Sequence, residues 1–187
     1  MEEVIQKCIE ALEKGGTILY PTDTIWGLGC DATNQKAVEK IYHIKKRMES
    51  KSLIILVEDE ERLRQCTGVI PDIARDLIRS VDTPLTIIYP AARNLAKNVI
   101  AEDGSIGIRI VKNDFCETLI RRFGKPIVST SANISGQQPP LMFKFISEEI
   151  KKEVDYIVPL YQDVLCEIKP STIIKLKDTG EFEIIRK

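Results

Sequence analysis

Apolar residues recur at helical spacing in the first part of the chain. The opening segment is predicted to be an amphipathic helix that ends at the two glycines of residues 15–16, with its apolar face formed by Val4, Ile5, Cys8, Ile9 and Leu12. A second apolar face predicts a helix over residues 34–46. This second helix delivers Lys45 and Arg47 to its C-terminal end.

Two later helices are predicted from the residues that start and stop them. Pro71 is typical of a first helical turn, and apolar residues follow it at helical spacing. Asp114, with Glu117 three residues on, resembles a capping box, and Gly124 is a suitable stop for the helix between them. A short helix is also predicted over residues 148–152.

Short apolar and β-branched runs predict strands between these helices. The predicted strands cover residues 17–20, 53–57, 85–89, 105–111, 126–129, 156–158, 172–176 and 183–186. The uninterrupted apolar run at 53–57 is typical of a strand covered on both faces. Residues 131–140 are polar, contain Gly and Pro, and predict a loop. Helices and strands mixed in this way predict an α/β fold with a twisted, mixed sheet flanked by helices.

Length and charge narrow the class of protein. A chain of 187 residues fits one domain, taken as residues 1–187. The 27 Lys and Arg nearly balance the 28 Asp and Glu, so overall charge does not indicate a nucleic-acid or membrane partner. The apolar runs are shorter than the roughly 20 residues of a membrane span, and the acidic start is unlike a secretory signal. We therefore expect a cytoplasmic protein without membrane attachment.

Cysteine and histidine usage argues against several kinds of site. The five cysteines are widely spaced with no CxxC pair, which disfavours a disulfide framework or a zinc site. Cys8 and Cys116 fall on apolar helical faces and are expected to be core thiols. With His43 as the single histidine, a Ser-His-Asp triad or a histidine metal cluster is hard to build. No metal site is predicted.

Three segments carry candidate chemistry, each with a simpler structural alternative. PTDTIWGLG (residues 21–29) combines hydroxyls with glycines that let a ligand approach the backbone, but it also fits a strand and tight turn. KKRMESK (residues 45–51) fits an anion site or a solvated helix end. STSANISG (residues 129–136) offers hydrogen-bonding groups at a strand end, or is a polar turn.

Taken together, these segments resemble a known family. PTDTIWGLG, IKKR before an apolar strand, IGIR, STSANISG, PSTII and a late IIR occur in the order found in the YrdC-like threonylcarbamoyladenylate synthases. The resemblance runs from about residue 15 to residue 186. Its most specific part pairs Lys45 and Arg47 with Ser131 and Asn133, the active-site signature of the family.

The resemblance implies a role for each matching residue. It implies that threonine is bound by four residues, with Arg109 pairing with the carboxylate. These residues are Thr24, Arg109, Ser129 and Ser171. It also implies an ATP site in which Arg186 reaches the phosphates. This site is formed by Arg47, Lys51, Ser105, Ser131, Pro139 and Arg186. The catalytic signature is Lys45, Arg47, Ser131 and Asn133, in which Lys45 and Asn133 would orient bicarbonate and the reacting phosphate.

The sequence departs from the family pattern at four positions. The family commonly has proline at the positions of Met48 and Ser52 and tyrosine at the position of Trp26, and often has a polar residue where Leu56 stands. The first two changes bear on the loop that carries Lys51. Leu56 bears on one threonine contact.

The reaction implied by the resemblance is nucleotidyl transfer. Threonine, bicarbonate and ATP would give threonylcarbamoyl-AMP and pyrophosphate, with Mg²⁺ on the phosphates, for a downstream tRNA threonylcarbamoyl transferase complex. Such chemistry needs cations and a dry pocket rather than a protein nucleophile, so we expect a large concave cationic cavity. The alternatives are a related protein that hydrolyses the adenylate, and a non-enzymatic module that binds double-stranded RNA or tRNA. For the synthase itself, at most weak RNA binding is expected.

Overall fold

Six helices and nine strands make up the described part of the chain. The computed structural model describes residues 1–48, 53–165, 171–177 and 181–186. The helices are α1 (Glu2–Glu13), α2 (Gln35–Ile44), α3 (Glu60–Thr67), α4 (Asp72–Ser80), α5 (Asp114–Phe123) and α6 (Glu148–Glu153). The strands are β1 (Thr17–Tyr20), β2 (Gly27–Cys30), β3 (Ile54–Val57), β4 (Leu85–Tyr89), β5 (Ile106–Ile110), β6 (Ile127–Ser131), β7 (Tyr156–Ile157), β8 (Thr172–Leu176) and β9 (Phe182–Arg186).

The periodic patterns located most of these elements, and the exceptions have local causes. Every predicted helix and strand is confirmed to within a few residues. The capping residue of α5 was predicted one position late, because Asn113 rather than Asp114 accepts the backbone N–H of Cys116. Helix α3 and strand β2 were not predicted. The first is mostly polar and the second is half glycine, so neither carries a strong periodic signal.

The strands form one mixed sheet, as the sequence predicts. Their order is β7-β1-β2-β6-β3-β5-β4-β8-β9. Pairs β1/β7, β3/β5 and β4/β8 are parallel, and the other neighbours are antiparallel. The late strand β8 therefore lies beside β4, and residues from both halves of the sequence share one surface.

Helices cover both faces of the sheet, and successive strand residues point to opposite faces. In β3, Ile55 and Val57 pack in the larger core with α2 and α3, whereas Leu56 packs in the smaller core with α1 and α5. The prediction that this strand is covered on both faces is confirmed. None of the helices in the described ranges combines the length and the apolar character that crossing a bilayer requires.

Candidate active site

Strand register gathers the polar residues of the site on one face of the sheet. Gly27 pairs with Ser131, and Ser129 pairs with Ile54. Because paired residues point to the same face, these side chains and Arg109, which pairs with Leu56, lie on the face that α1 and α5 cover. This is the surface that bears the candidate site.

A cavity of about 250 Å³ opens on this surface. The predicted site residues that line it are Thr24, Arg47, Arg109, Ser129, Ser131, Pro139, Ser171 and Arg186. The other lining residues, which the sequence did not single out individually, are Thr22, Ile25, Gly27, Leu53, Ile54, Thr130 and Ile173. A set spread over more than 160 positions of the sequence thus meets around one hollow.

The cavity has a strongly positive wall. Three guanidinium groups line it, those of Arg47, Arg109 and Arg186, and none of the described lining residues is acidic. Partial burial lowers the pKa of Arg47. Partial burial, and then the neighbouring charge of Arg109, lower the pKa of Arg186. Cations crowded in this way favour a ligand with several negative charges.

Arg109 is held from two sides at the base of the cavity. Its Nη1 lies 3.4 Å from the Thr24 hydroxyl, to which it donates, and its Nη2 lies 2.9 Å from Oδ1 of Asp23. The side chain of Arg109 is only 4% exposed, so its charge is largely withdrawn from water. A guanidinium in this setting is well suited to bind a carboxylate or phosphate.

The segment before β2 is fixed by its own hydroxyls. The Thr22 hydroxyl donates to the carbonyl of Ile25 at 2.7 Å and accepts the backbone N–H of Thr24 at 3.1 Å. Its oxygen is also 3.0 Å from the Thr24 hydroxyl. This local network sets the position of Thr24 beside Arg109. The segment forms the bend before β2 and lines the cavity, and its contact with a ligand stays a prediction.

Arg186 and Ser171 form a second fixed pair across the cavity. The Arg186 guanidinium donates to the Ser171 carbonyl from Nε at 3.2 Å and from Nη2 at 2.9 Å. The Ser171 hydroxyl is 2.8 Å from the hydroxyl of Thr86, which is fully buried in β4. The pairing of β8 with β4 therefore determines where this hydroxyl and this guanidinium lie.

Lys45 lies beside the cavity rather than in its lining. It is the C-cap of α2 and is 1% exposed, and its ammonium Nζ donates to the carbonyls of Ser131 and Asn133 at 2.5 and 2.7 Å. In return, the backbone N–H of Ser135 donates to the Lys45 carbonyl at 2.9 Å. Lys45 thus ties the end of α2 to the end of β6, where Ser131 lines the cavity, and to the loop that follows this strand.

Asn133 completes this junction. Its Nδ2 donates to the carbonyls of Ile134 and Gln137 at 3.0 and 2.8 Å, which closes the loop on itself. Its Oδ1 is buried and has no hydrogen-bond partner among the described residues. The two signature residues Lys45 and Asn133 therefore hold the loop in shape in this structure.

Lys45 should make the stability of the protein increase with pH above neutrality. Burial, followed by the charge of Arg47, lowers the pKa of Lys45 from 10.5 to about 7. Between these values the unfolded chain binds a proton that the native protein does not. The free energy of unfolding should therefore rise with pH, by up to about 1.4 kcal/mol per pH unit. Below pH 7 both states are protonated, and the penalty for burying the charge is complete.

Denaturant unfolding at pH 7, 8 and 9 tests this expectation. The unfolding free energy of the wild type minus that of Lys45→Met should increase by about 1 kcal/mol per pH unit. Lys36→Met, on the exposed side of the same helix, is the matched control and should run parallel to the wild type. Parallel curves for Lys45→Met as well would show that the lysine titrates normally.

The remaining predicted residues lie in different surroundings. Lys51 and Ser52 are outside the described residues. Ser105 is buried, and its hydroxyl donates to Asp103 at 2.5 Å rather than lining the cavity, so its assignment to ATP stays a prediction. Leu56 is fully buried in the core with α1 and α5, and Trp26 packs against Phe143 with ring centroids 5.0 Å apart. Met48 is exposed.

None of the four described cysteines lines the cavity, although the Cys116 thiol lies close behind it and donates to the Pro21 carbonyl at 3.4 Å. Cys8, Cys30, Cys66 and Cys116 are buried free thiols, which confirms the prediction for Cys8 and Cys116, and burial raises the pKa of Cys8 to about 12. His43 has a side chain that is 85% exposed and lies near Glu153. Within the described ranges, no group of three or more His, Cys, Asp or Glu side chains could hold a metal ion.

Known proteins with a similar sequence or fold are consistent with this site. Residues 10–187 match the sequence profile of the Sua5_yciO_yrdC family, described as "Telomere recombination". A protein of Pseudoalteromonas translucida named threonylcarbamoyl-AMP synthase is 34% identical over 188 residues, covering 99% of this chain and 98% of that protein.

Two crystal structures share the fold. E. coli YciO superposes with a TM-score of 0.85 at 25% identity, covering 100% of this chain and 90% of the other. P. abyssi Sua5 complexed with L-threonine superposes with a TM-score of 0.86 at 25% identity over 97% of this chain. The chain spans 53% of that P. abyssi protein, about half its length. With a profile match over nearly all of its residues, the chain belongs to the Sua5/YciO/YrdC family.

Proposed function

We infer that this chain is a threonylcarbamoyl-AMP synthase, a nucleotidyltransferase that joins L-threonine, bicarbonate and ATP. The observation that carries the inference is the wall of three arginines around one cavity with no described acidic residue in its lining. Several relatives at 29–34% identity bear this name, and a structural relative was crystallised with L-threonine. The three substrates together bring a carboxylate, bicarbonate and a triphosphate, which need such a wall.

The amino-acid end of the cavity is assigned to Arg109 and its neighbours. Arg109 would bind the threonine carboxylate, because it is buried and held by Thr24 and Asp23. The hydroxyls of Ser129 and Ser171 line the same cavity and can hydrogen-bond the rest of the amino acid. Both serines are buried and lie on strands of the sheet or at their ends, so they are preorganised for a small polar ligand.

The nucleotide end is assigned to Arg47, Arg186, Ser131 and Pro139, with Lys51 and Ser105 as further predicted contacts. Two guanidinium groups can neutralise the triphosphate and the pyrophosphate that leaves from it. Mg²⁺ would be held by phosphate oxygens and water, which agrees with a lining that offers hydroxyls and cations rather than carboxylates. When bound, it would neutralise charge on the phosphates.

The reaction then proceeds in two steps. The ammonium of bound threonine first loses a proton to water, the resulting neutral amine attacks the carbon of bicarbonate, and water leaves to give a carbamate. A carbamate oxygen attacks the α-phosphorus of ATP, the bond to the β-phosphate oxygen breaks, and pyrophosphate leaves. The protein supplies no nucleophile. Its arginines stabilise the charge that develops on the phosphate oxygens, and substrates that fill the cavity would keep water away from the carbamate.

Threonine-dependent release of pyrophosphate tests the function. Purified protein with L-threonine, bicarbonate, ATP and Mg²⁺ should release pyrophosphate and form the mixed anhydride, which mass spectrometry identifies. Leaving out either threonine or bicarbonate should stop the release. Release that continues unchanged without threonine would remove the threonine assignment.

The same preparation separates the two alternatives. Rapid conversion of added threonylcarbamoyl-AMP to AMP, without net synthesis, would indicate the hydrolytic relative. RNA binding with a steep salt dependence and no consumption of ATP would indicate a binding module. For the synthase, we propose a cytoplasmic location, at most weak RNA binding, and transfer of the product to a tRNA threonylcarbamoyl transferase complex.

A further inference from the structure

We propose that Asp23 sets the charge at the amino-acid end of the cavity and so selects a zwitterionic amino acid over a simple carboxylate. Asp23 directly precedes Thr24, and the only role given to it above is to hold Arg109. This assignment rests on the proposed function, in which Arg109 binds the carboxylate of threonine. It goes further by naming the residue that lets the same end accept an ammonium group.

Asp23 meets Arg109 as a charge rather than as a well-formed hydrogen-bond partner. Its Oδ1 lies 2.9 Å from Nη2 of Arg109, and the two side chains are 8% and 4% exposed. Neither carboxylate oxygen has a hydrogen-bond partner among the described residues. A buried acceptor without hydrogen bonds costs folding free energy. A carboxylate kept under those conditions is more easily explained by function than by stability.

Asp23 acts through Arg109 and not by touching the ligand. Both of its oxygens are covered, and Asp23 is absent from the described lining of the cavity, whereas Arg109 and Thr24 are part of it. A substrate could reach the carboxylate only if these side chains moved. Asp23 is therefore a positioning and specificity residue, and its effect is carried by charge and by the fixed orientation of the guanidinium.

The charge balance of the cavity gives this effect its direction. Without Asp23, Arg109 and the nearby Arg186 would present uncompensated positive charge, and the charge of Arg109 already contributes to the lowered pKa of Arg186. Such a site attracts carboxylates but repels the ammonium of an amino acid. Asp23 offsets the charge of Arg109 while leaving that side chain in the cavity wall. A zwitterion with no net charge is then favoured over an anion.

Asp23→Asn tests the proposal with two matched ligands. L-threonine and 3-hydroxybutanoate share the carboxylate, hydroxyl and methyl groups, but 3-hydroxybutanoate lacks the ammonium. NMR titration should show that the variant shifts the ratio of the two dissociation constants about tenfold toward 3-hydroxybutanoate, because one opposing charge is lost near the ligand. The affinity for ATP should change less than about threefold.

Asp31→Asn is the control for removing a buried aspartate. Asp31 is also ion-paired, with Lys125 at 2.8 Å, and its side chain is 4% exposed, but it lies at the end of β2 away from the cavity. This variant should leave the ratio of the two dissociation constants unchanged. Equal weakening of both ligands by Asp23→Asn would mean that the residue only supports the fold, and would overturn the proposal.

Two measurements on the wild type keep the test decisive if Asp23→Asn does not fold. Wild-type protein that binds 3-hydroxybutanoate as tightly as threonine would overturn the selection of zwitterions. At least a tenfold preference for threonine, which corresponds to about 1.4 kcal/mol, would support it. Wild-type protein that neither binds threonine nor releases pyrophosphate would overturn the proposed function itself, and this failure is distinct from the other.

Discussion

Arg109→Ala should lower kcat/KM for L-threonine about 1,000-fold while changing the affinity for ATP less than about threefold. Loss of one member of a buried, charge-assisted contact with a ligand costs about 4 kcal/mol, and each 1.4 kcal/mol is tenfold. Arg109 is suited to such a contact because it is 4% exposed and fixed by Asp23 and Thr24. Pyrophosphate release with threonine varied, and separately with ATP varied, measures the two effects.

The stability of this variant needs its own control, because removing Arg109 leaves Asp23 buried without its cation. Such a stranded charge costs about 3–5 kcal/mol of folding free energy. The double variant Asp23→Asn/Arg109→Gln has no stranded charge, so it should recover most of the stability but not the use of threonine. If the double variant regained activity, or if the affinities for threonine and ATP fell equally, Arg109 would not be the threonine contact.

Arg186→Ala should show the opposite selectivity, with an ATP affinity about 50-fold weaker and a much smaller change in threonine affinity. A hydrogen bond to a charged phosphate is worth about 1.5–3 kcal/mol, which corresponds to a loss of affinity of roughly 10- to 150-fold. Arg186 donates to the carbonyl of Ser171, so its guanidinium is already oriented in the cavity wall. Fluorescence or calorimetric titration with a non-hydrolysable ATP analogue measures the loss.

Arg121→Ala provides the comparison for Arg186→Ala. Arg121 lies on α5, where it pairs with Glu117 at 2.8 Å and is 55% exposed, so its removal changes net charge without touching the cavity. Its ATP affinity should match that of the wild type. An equal loss in both arginine variants would mean that ATP responds only to overall charge, and an Arg186→Ala variant with a selective loss of threonine would reverse the assigned roles.

The sequence predicted the helices and strands in which apolar residues recur at a regular spacing, and it missed the elements without such a pattern. The apolar run that became β3 was recognisable because both of its faces are buried. Strand β2 was read as part of a turn. Its Gly29 is required by close packing, since a Cβ there would lie 2.7 Å from Cε1 of Tyr20 and 2.8 Å from the carbonyl of Val128. The need for glycine here comes from contacts with neighbouring strands, so it leaves no recognisable pattern in the sequence around Gly29.

The sequence predicted most of the residues that line the candidate site, but it did not predict how their side chains are arranged in space. Ordered motifs named most of the lining, because they matched a family rather than because of their spacing. The inward turn of Lys45 onto carbonyls 86 and 88 residues away could not be predicted, since the helical pattern fixes only where α2 ends. The same holds for Asp23, whose partner Arg109 is assigned by the pairing of strands far apart in the sequence.

The placement of β8 next to β4, with β9 at the sheet edge, has a consequence for biosynthesis. On the ribosome, most of the sheet could assemble while Ser171 and Arg186 were still untranslated, because N-terminal parts of a chain emerge and begin to fold first. A nascent chain at that stage would have Arg47 and Arg109, but it would lack Ser171 at the amino-acid end of the cavity and Arg186 at the nucleotide end. Both ends of the cavity would therefore be completed only when β8 and β9 join the sheet.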